Sequence, residues 1–415
     1  MRTNCREGSE IVVVGAGLAG LACALDLCRA GRRVVLLEAG DGPGGRMRTD
    51  RHEGYLLDRG FQVFNTSYPQ AKRRLDLRQL RLRPFTPGLI AHTSRGPMRF
   101  SDPTRHLTGT DVLRAARAVG VGDLTALAAL TAQDVLLPAA WLKRREDRPT
   151  SAALAAAGLS DDLVERVLRP FLSGVFLEDR LETSARFFHL VWRSMIRGTL
   201  CLPADGIGAV PAQLAGALPE GVLRLETTVA EVTTAGVLLT DGREAPAASV
   251  VVATDAAAAA RLLPGLPAPE GRTVTTYYHA TGTAPLAEPT LMVDSAGVVL
   301  NTCVLSEVAP TYAPPGTALV STSVLGADRP GAAEAVRGRL AELYGRDTSD
   351  WTQLAARTVQ GALPTMLPPW RLSRTTRFGA GRYVCGDHRA TGSVQGALAS
   401  GTRAAREVLA DLARG

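Results

Sequence analysis

Residues 11–48 read IVVVGAGLAGLACALDLCRAGRRVVLLEAGDGPGGRMR. An apolar run, Ile11 to Val14, enters Gly15-Ala16-Gly17-Leu18-Ala19-Gly20. A small-residue helix follows, then the run Val34-Val35-Leu36-Leu37, which ends on Glu38. Each glycine has its own task in a dinucleotide-binding βαβ unit. Gly15 makes the tight strand-to-helix turn, Gly17 lets the backbone approach a pyrophosphate, and Gly20 lets helix and strand lie close together. The anion rests on the helix N-terminus, where unpaired N–H groups and the dipole favour negative charge. Glu38, 18 residues beyond Gly20, stands where a carboxylate accepts ribose hydroxyls. A secretory leader, with Arg2 and Arg6 ahead of an apolar run, is the competing reading. The motif glycines, Asp26 inside the run and the lack of a small-residue cleavage site argue against it.

After Glu38 comes Asp41-Gly42-Pro43-Gly44-Gly45-Arg46, a glycine-rich turn with one cation. Gly44 and Gly45 bring backbone amides near phosphate oxygens, and Arg46 adds a charge-assisted contact. The far end carries Tyr383-Val384-Cys385-Gly386-Asp387 and then Gly392-Ser393-Val394-Gln395-Gly396-Ala397-Leu398-Ala399-Ser400-Gly401. E-x(5)-GGR after GxGxxG, together with this strand–GD–helix ending, resembles the flavin-dependent amine oxidoreductase superfamily. That superfamily groups monoamine and polyamine oxidases, protoporphyrinogen oxidases and carotenoid or phytoene desaturases. The two motifs are more than 330 residues apart and in the family's order, so the resemblance spans the chain.

The resemblance implies FAD as the cofactor and assigns contacts along it. Gly15, Gly17, Leu18, Ala19, Gly20, Gly44, Gly45 and Arg46 would serve the pyrophosphate. Glu38, Ala39 and Val229 would serve the adenosine, with Ala253 and Thr254 at the end of a later strand. Asp387, after Gly386, would hold the ribityl–pyrophosphate side. The helix start at Ser393, Val394, Gln395 and Ala397 would face the flavin ring. Leu57-Asp58-Arg59-Gly60-Phe61-Gln62 corresponds to the segment beside the isoalloxazine, so Gly60, Phe61 and Gln62 are expected to touch it; a plain turn before a strand is the other reading. Gln62 is the candidate catalytic residue.

The implied fold class is α/β: a Rossmann-like (GR2-type) FAD-binding domain interleaved with an α+β substrate domain, which has an antiparallel sheet floor and a helical roof. A chain of 415 residues exceeds one core. We assign residues 1–66, 200–262 and 356–415 to the FAD-binding domain, and 67–199 and 263–355 to the substrate domain. Residues 68–107 read as turn-rich, with Pro69, Pro84, Pro87, Pro97 and Pro103, and Asp111 to Arg197 as mainly helical. Val112, Ala115, Ala116 and Val119 share one helical face, as do Leu163, Val167 and Leu168. A helix is expected to end near Leu218, and Leu223–Leu225 and Thr228–Val232 read as strands. Asp241-Gly242 is a hairpin turn signal, and Ser249–Ala253 a buried strand. Val274–His279, Leu291–Val293, Val298–Val304 and Ala318–Leu325 read as strands, followed by a helix from Ala332 to Tyr344.

Composition narrows the partners. The net charge is +7, but only Lys72 and Lys143 are lysine and the arginines are scattered, with no basic run longer than Lys72-Arg73-Arg74. Nucleic acid is therefore excluded as a partner. No apolar stretch outside the glycine motif reaches the roughly 20 residues of a spanning helix, which leaves peripheral membrane contact open. Cys5, Cys23, Cys28, Cys201, Cys303 and Cys385 form no CxxC pair and no disulfide framework, so a reducing, cytoplasmic compartment is expected. The six histidines include no pair at ligand spacing, and no metal is expected.

Substrate class rests on departures from the family pattern. No second GxGxxG follows Gly20, so the reduced flavin is expected to pass electrons to oxygen or a quinone rather than receive them from a nicotinamide. Neither lysine falls in residues 272–325, where the amine-oxidase branch places a lysine, and Ser393 stands where that branch has a cage tyrosine. Without an aromatic cage, oxidation of a cationic amine loses support. Gly361-Ala362-Leu363-Pro364 resembles the desaturase side. The expected substrate is a small apolar organic molecule, a polyene or isoprenoid. The alternatives are an amine or porphyrinogen oxidase with an atypical pocket, or a non-catalytic binder of a lipidated partner like the Rab GDP-dissociation inhibitors, which share the fold. Phe61, Gln62, Phe64, Phe187, Phe188, His189, Trp192 and Tyr278 are candidate substrate-side residues, each also readable as core. His189 is a possible base and His388 a possible neighbour of the phosphates.

Overall fold

The computed structural model describes residues 11–101, 120–379 and 381–414. Short apolar runs without alternation suit strands buried on both faces. Ile11–Val14, Val34–Leu37 and Ser249–Val252 are such runs, and all twelve residues are buried. They form the middle of a six-stranded sheet whose order is Leu223–Arg224, Val34–Leu37, Ile11–Val14, Ser249–Val252, Arg382–Val384, Arg377–Gly379. The first five strands are parallel, with Ile11 opposite Val34 and Ser249; the last is antiparallel.

Alternation along the central strand divides the core. Ile11 and Val13 join Leu36, Leu21, Leu25, Leu398 and Val408, under the helices Leu18–Arg29 and Val394–Leu412. Val12 and Val14 join Val35, Val237, Leu239 and Leu263 on the other face. The two helices cross closely because a Cβ at Gly401 would fall 2.0 Å from the Ala19 carbonyl oxygen. The expected hairpin is present: Gly236–Leu239 pairs antiparallel with Glu244–Pro246, and Gly242 has φ +82° in the turn.

The second large sheet has seven strands, in the order Thr352–Pro364, Gly271–Thr281, Ala318–Leu325, Asn301–Val304, Leu291–Asp294, Gly88–Thr93, Gly96–Ser101. Ile90, Met292, Tyr277 and Val320 face the helix Ala332–Tyr344, while Ala91, Val293, Tyr278 and Cys303 face the opposite side. Helices Arg169–Phe176 and Ala185–Arg197 lie over part of that side.

Three expectations are corrected here. Residues 68–107 supply the helix Pro69–Arg74 and two strands of this sheet, not turns alone. Pro97 is compatible with a strand because Gly96–Ser101 is the sheet's edge, where a missing N–H breaks no ladder. The sheet is not wholly antiparallel, since Leu291–Asp294 runs parallel to Gly88–Thr93. The boundary at residue 356 falls inside Thr352–Pro364, which pairs with Gly271–Thr281, so the chain returns to the first sheet only after Pro364. Leu163, Val167 and Leu168 are buried together as expected. Cys5 and the face read at Val112, Ala115, Ala116 and Val119 lie outside the described residues.

Candidate active site

One cavity of about 880 Å³ connects the parallel sheet's glycine turn to the space between the second sheet and the helices. Its first part is framed by Glu38, Ala39, Thr227, Thr228 and Val229. Glu38 ends its strand beside the glycine turn, and its two carboxylate oxygens accept from the Ala16 N–H at 2.7 Å and the Gly40 N–H at 2.9 Å. Both bonds fix the carboxylate's direction.

The second part surrounds the start of the helix Leu18–Arg29. No side chain caps that helix and its first turn holds no acidic residue. Its N-cap, Gly17, has φ −68°, open to any residue, and a Cβ there would meet nothing within 4 Å. Neither backbone conformation nor any described neighbour therefore demands glycine at 17; what the missing side chain leaves clear is cavity. Gly15 differs, with φ +99° and the Ala253 carbonyl oxygen 3.1 Å from a built Cβ. Gly44 and Gly45, at φ +120° and +59°, complete the wall. An uncapped helix start, clear space at Gly17 and an oriented carboxylate at Glu38 fit a dinucleotide.

Arg46 and Asp387 close the third part. The Arg46 guanidinium lies 2.8 Å from an Asp387 carboxylate oxygen and donates to the Ala362 carbonyl at 2.8 Å and the Gly361 carbonyl at 3.3 Å. Burial pushes the Asp387 carboxyl up, but Arg46 more than offsets this and holds it below the ordinary range. Asp387 in turn raises Arg46, so both are charged. Arg46, expected to serve phosphates, is thus also the clasp between the glycine turn, the GD loop and the long strand of the second sheet. The Gln62 side-chain amide donates to the Arg46 carbonyl at 2.7 Å, and the Phe61 N–H donates to the Thr276 hydroxyl at 3.2 Å. Gly60, at φ +88°, lies against Val359. The Ser393 hydroxyl caps the helix Val394–Leu412 by accepting from the Gly396 N–H at 3.1 Å, and the cavity reaches Ser393, Val394 and Ala397.

The fourth part is an apolar chamber. Phe171, Val175, Leu177, Phe187, Val191, Met195 and Leu200 form its roof and side; Val274, Leu291, Val293, Asn301 and Ser323 form its floor. Phe187, Val191 and Met195 recur every four residues along Ala185–Arg197, so one helical face meets the cavity. No described residue on these walls is charged. Of the charged lining residues, Glu38, Arg46, Asp255, Arg261 and Asp387 lie on the segments around the glycine turn, the adenosine end and the GD loop, while Arg59, just before Gly60, is paired with Asp50 at 2.9 Å.

Of the residues named from sequence, Gly15, Gly17, Leu18, Ala19, Glu38, Ala39, Gly44, Gly45, Arg46, Gly60, Phe61, Gln62, Val229, Ala253, Thr254, Gly386, Asp387, Ser393, Val394 and Ala397 line this cavity. Two do not. Gly20 is a packing glycine, its built Cβ only 1.9 Å from the Gly15 carbonyl oxygen. The Gln395 side chain instead accepts from the Gln70 N–H at 2.9 Å.

On the substrate side Phe61, Gln62 and Phe187 reach the cavity, and five candidates do not. Phe64 and Phe188 are core. The Tyr278 hydroxyl donates to the Asp58 carbonyl, and the Trp192 indole donates to Thr131. His189 is buried in the roof with Nδ1 2.9 Å from an Asp134 carboxylate oxygen, so it is no base for this site. His388 is 1% exposed, outside the cavity wall, and neither ring nitrogen finds a hydrogen-bond partner among the described residues. Burial lowers its pKa to about 4, which keeps it neutral.

Asn301, Ser323, Phe171, Gly174, Val191 and Met195 escaped the sequence reading. Gly174, a glycine inside a helical stretch, was the available signal. No helix of the described residues is long and apolar enough to cross a membrane, and no cluster of metal-ligating side chains occurs among them.

Known proteins resemble this chain in sequence and fold. The crystal structure of a putative protoporphyrinogen oxidase from Exiguobacterium sp. 255-15 has a similar shape, with TM-score 0.74 at 18% identity, covering 99% of this chain and 100% of that one. Coproporphyrinogen III oxidase from Propionibacterium freudenreichii is 29% identical over 180 residues, 40% of this chain and 32% of that protein. Hydroxyneurosporene desaturase from Cereibacter sphaeroides is 65% identical over 40 residues, 10% of this chain and 8% of that protein. The chain thus aligns with a third or less of the length of these two relatives. The family model for flavin containing amine oxidoreductases matches residues 18–409, nearly the whole chain, and the chain belongs to that family.

Proposed function

We propose that this protein is an FAD-dependent oxidoreductase, an oxidase or desaturase, that removes a hydride from a small apolar molecule of polyene or isoprenoid type. Oxygen or a quinone takes the electrons afterwards. One observation carries this reading: a single cavity joins a nucleotide cradle to a chamber whose described walls hold no charge. Bound FAD supplies the two-electron acceptor.

The chain's residues do the rest. Glu38 and the uncapped helix start orient the nucleotide. Arg46 ties Asp387 to the carbonyls of Gly361 and Ala362, so the walls about the ring site hold together. Gln62, bonded to the Arg46 carbonyl, is a positioning residue for the segment from Gly60. Phe187, Val191 and Leu291 exclude water from the reacting carbon, which favours hydride transfer over side reactions. Loss of a hydride from one carbon is completed by loss of a proton from its neighbour; the described chamber walls carry no charged side chain, so that proton passes to solvent water at the cavity mouth.

A second reading has its own support. The match to coproporphyrinogen III oxidase extends over 180 residues, against 40 for the desaturase, and it favours a porphyrinogen substrate. The uncharged chamber opposes it, since that substrate class carries carboxylates that call for cations. The test is anaerobic. Purified protein is expected to be yellow, and its flavin absorbance to bleach with isoprenoids or polyenes and not with simple amines or porphyrinogens. Bleaching by simple amines alone would overturn the proposal, and a colourless protein that takes up no flavin would point to a binder.

A further inference from the structure

Asn301 places an amide on the wall of the apolar chamber. It is 7% exposed, it lines the apolar chamber, and its side chain has no hydrogen-bond partner among the described residues. Its place follows from register. Ala91, Val293, Asn301, Ser323 and Thr276 lie directly opposite one another on five adjacent strands, so their side chains share the chamber-facing side. Ser323 is the one other polar group of this row on the wall, and its hydroxyl lies 3.3 Å from that of Thr276.

A second observation points the same way. Gly174 sits inside the helix Arg169–Phe176, where glycine lowers helix stability relative to alanine. A Cβ there would stand 2.8 Å from Asn301 Nδ2, and no other residue comes within 4 Å except through that same side chain. Among the described residues, that amide is what a side chain at 174 would crowd. Two features that the fold itself does not call for, a polar amide on an apolar wall and a glycine in a helix, serve one position in the chamber.

Resting on the proposed function, we propose that Asn301, with Ser323 beside it, is the anchor that orients the substrate by hydrogen-bonding a neutral oxygen, a carbonyl or hydroxyl, on an otherwise apolar molecule. The group is neutral because the chamber walls offer no counter-charge. An amide both donates and accepts, so it serves either oxygen function. The anchor fixes which carbon faces the ring site.

The test uses flavin-loaded protein and a matched pair of probes: β-ionone, an isoprenoid ketone, and the hydrocarbon of the same skeleton without the carbonyl. Binding is read from the shift in flavin absorbance and by calorimetry. Wild type is expected to favour the ketone by about tenfold, the weight of one buried hydrogen bond. Asn301→Leu, which keeps the volume, is expected to erase that preference while hydrocarbon affinity holds or rises. Gly174→Ala, which crowds the amide without removing it and favours the helix, is expected to reduce the preference as well, and it guards against a folding defect in the first variant. Equal affinity of wild type for both probes, or an intact preference in Asn301→Leu, overturns the proposal. In either case the protein stays yellow and binds the hydrocarbon, which separates this failure from failure of the flavoenzyme reading.

Discussion

Gly17→Ala separates a ligand's demand from the fold's. At φ −68° and ψ 177° the residue is in a region that alanine occupies freely, and its Cβ would meet no described atom within 4 Å. The substitution replaces a helix N-cap glycine by a poorer cap, so the flavin-free protein should lose about 1 kcal/mol or less. In a chain of this size that moves the thermal midpoint by about 2 °C or less. FAD meets the new methyl where its pyrophosphate would lie. The cost is that of overfilling a packed site, about 1–3 kcal/mol, or about fivefold to 150-fold in affinity. Gly20→Ala is the contrast: its Cβ lands 1.9 Å from the Gly15 carbonyl oxygen and 3.3 Å from Ala253 Cβ, so the turn itself must move. Scanning calorimetry of flavin-stripped protein gives the stability of each variant, and isothermal titration with FAD gives the affinity. The expected pattern is a stable Gly17→Ala that binds FAD poorly, beside an unstable Gly20→Ala. Wild-type FAD affinity in Gly17→Ala, or a stability loss matching that of Gly20→Ala, would refute the assignment of this space to the cofactor.

Two further perturbations probe the buried carboxylates. Asp58 accepts from the Thr49 hydroxyl at 2.6 Å, the Ile207 N–H at 3.0 Å and the Tyr312 hydroxyl at 2.9 Å, yet burial raises its pKa from 3.8 to about 6. The native state then binds this proton more tightly than the unfolded chain, so its contribution is full below the ordinary value and is lost as pH rises through about 6. That loss is about 3 kcal/mol. Asp58→Asn should remove this dependence, checked by denaturant midpoints at pH 4 and 7; an unchanged slope rejects the assignment. Asp387 has the opposite sign: Arg46 holds it below the ordinary value, so its contribution is present at neutral pH and fades on acidification. Arg46→Met leaves that carboxylate buried without its cation, at a cost of about 2–4 kcal/mol discounted for the partial exposure of Arg46. The variant should melt earlier and retain less flavin on purification, and wild-type flavin content would count against the clasp.

The legible part of this molecule was the part with a local cause. Residues 11–38 could be read because Gly15, Gly17, Gly20 and Glu38 stand at fixed spacing within one βαβ unit, and the helix Ala332–Tyr344 because its apolar spacing is its own. The chamber has no such local cause. Asn301 faces it only because Asn301–Val304 pairs with Ala318–Leu325 in one register; a shift of one residue would send the amide to the other side. Phe187 rather than Phe188 reaches the cavity because of how Ala185–Arg197 is rotated against the second sheet, and adjacent phenylalanines give no hint of that rotation. Pro97 argued against a strand until the edge position of Gly96–Ser101 made its missing N–H harmless. Gly174 is the instructive case, since the sequence showed the glycine but not its reason, which lies on a strand more than a hundred residues away. A cofactor that many proteins share is held by residues that answer to the backbone nearby and can be read in order. A substrate particular to one protein is held by residues that meet only after two sheets and a helical layer have found their registers. The cofactor was therefore legible from the chain, whereas the anchor in the chamber needed the fold.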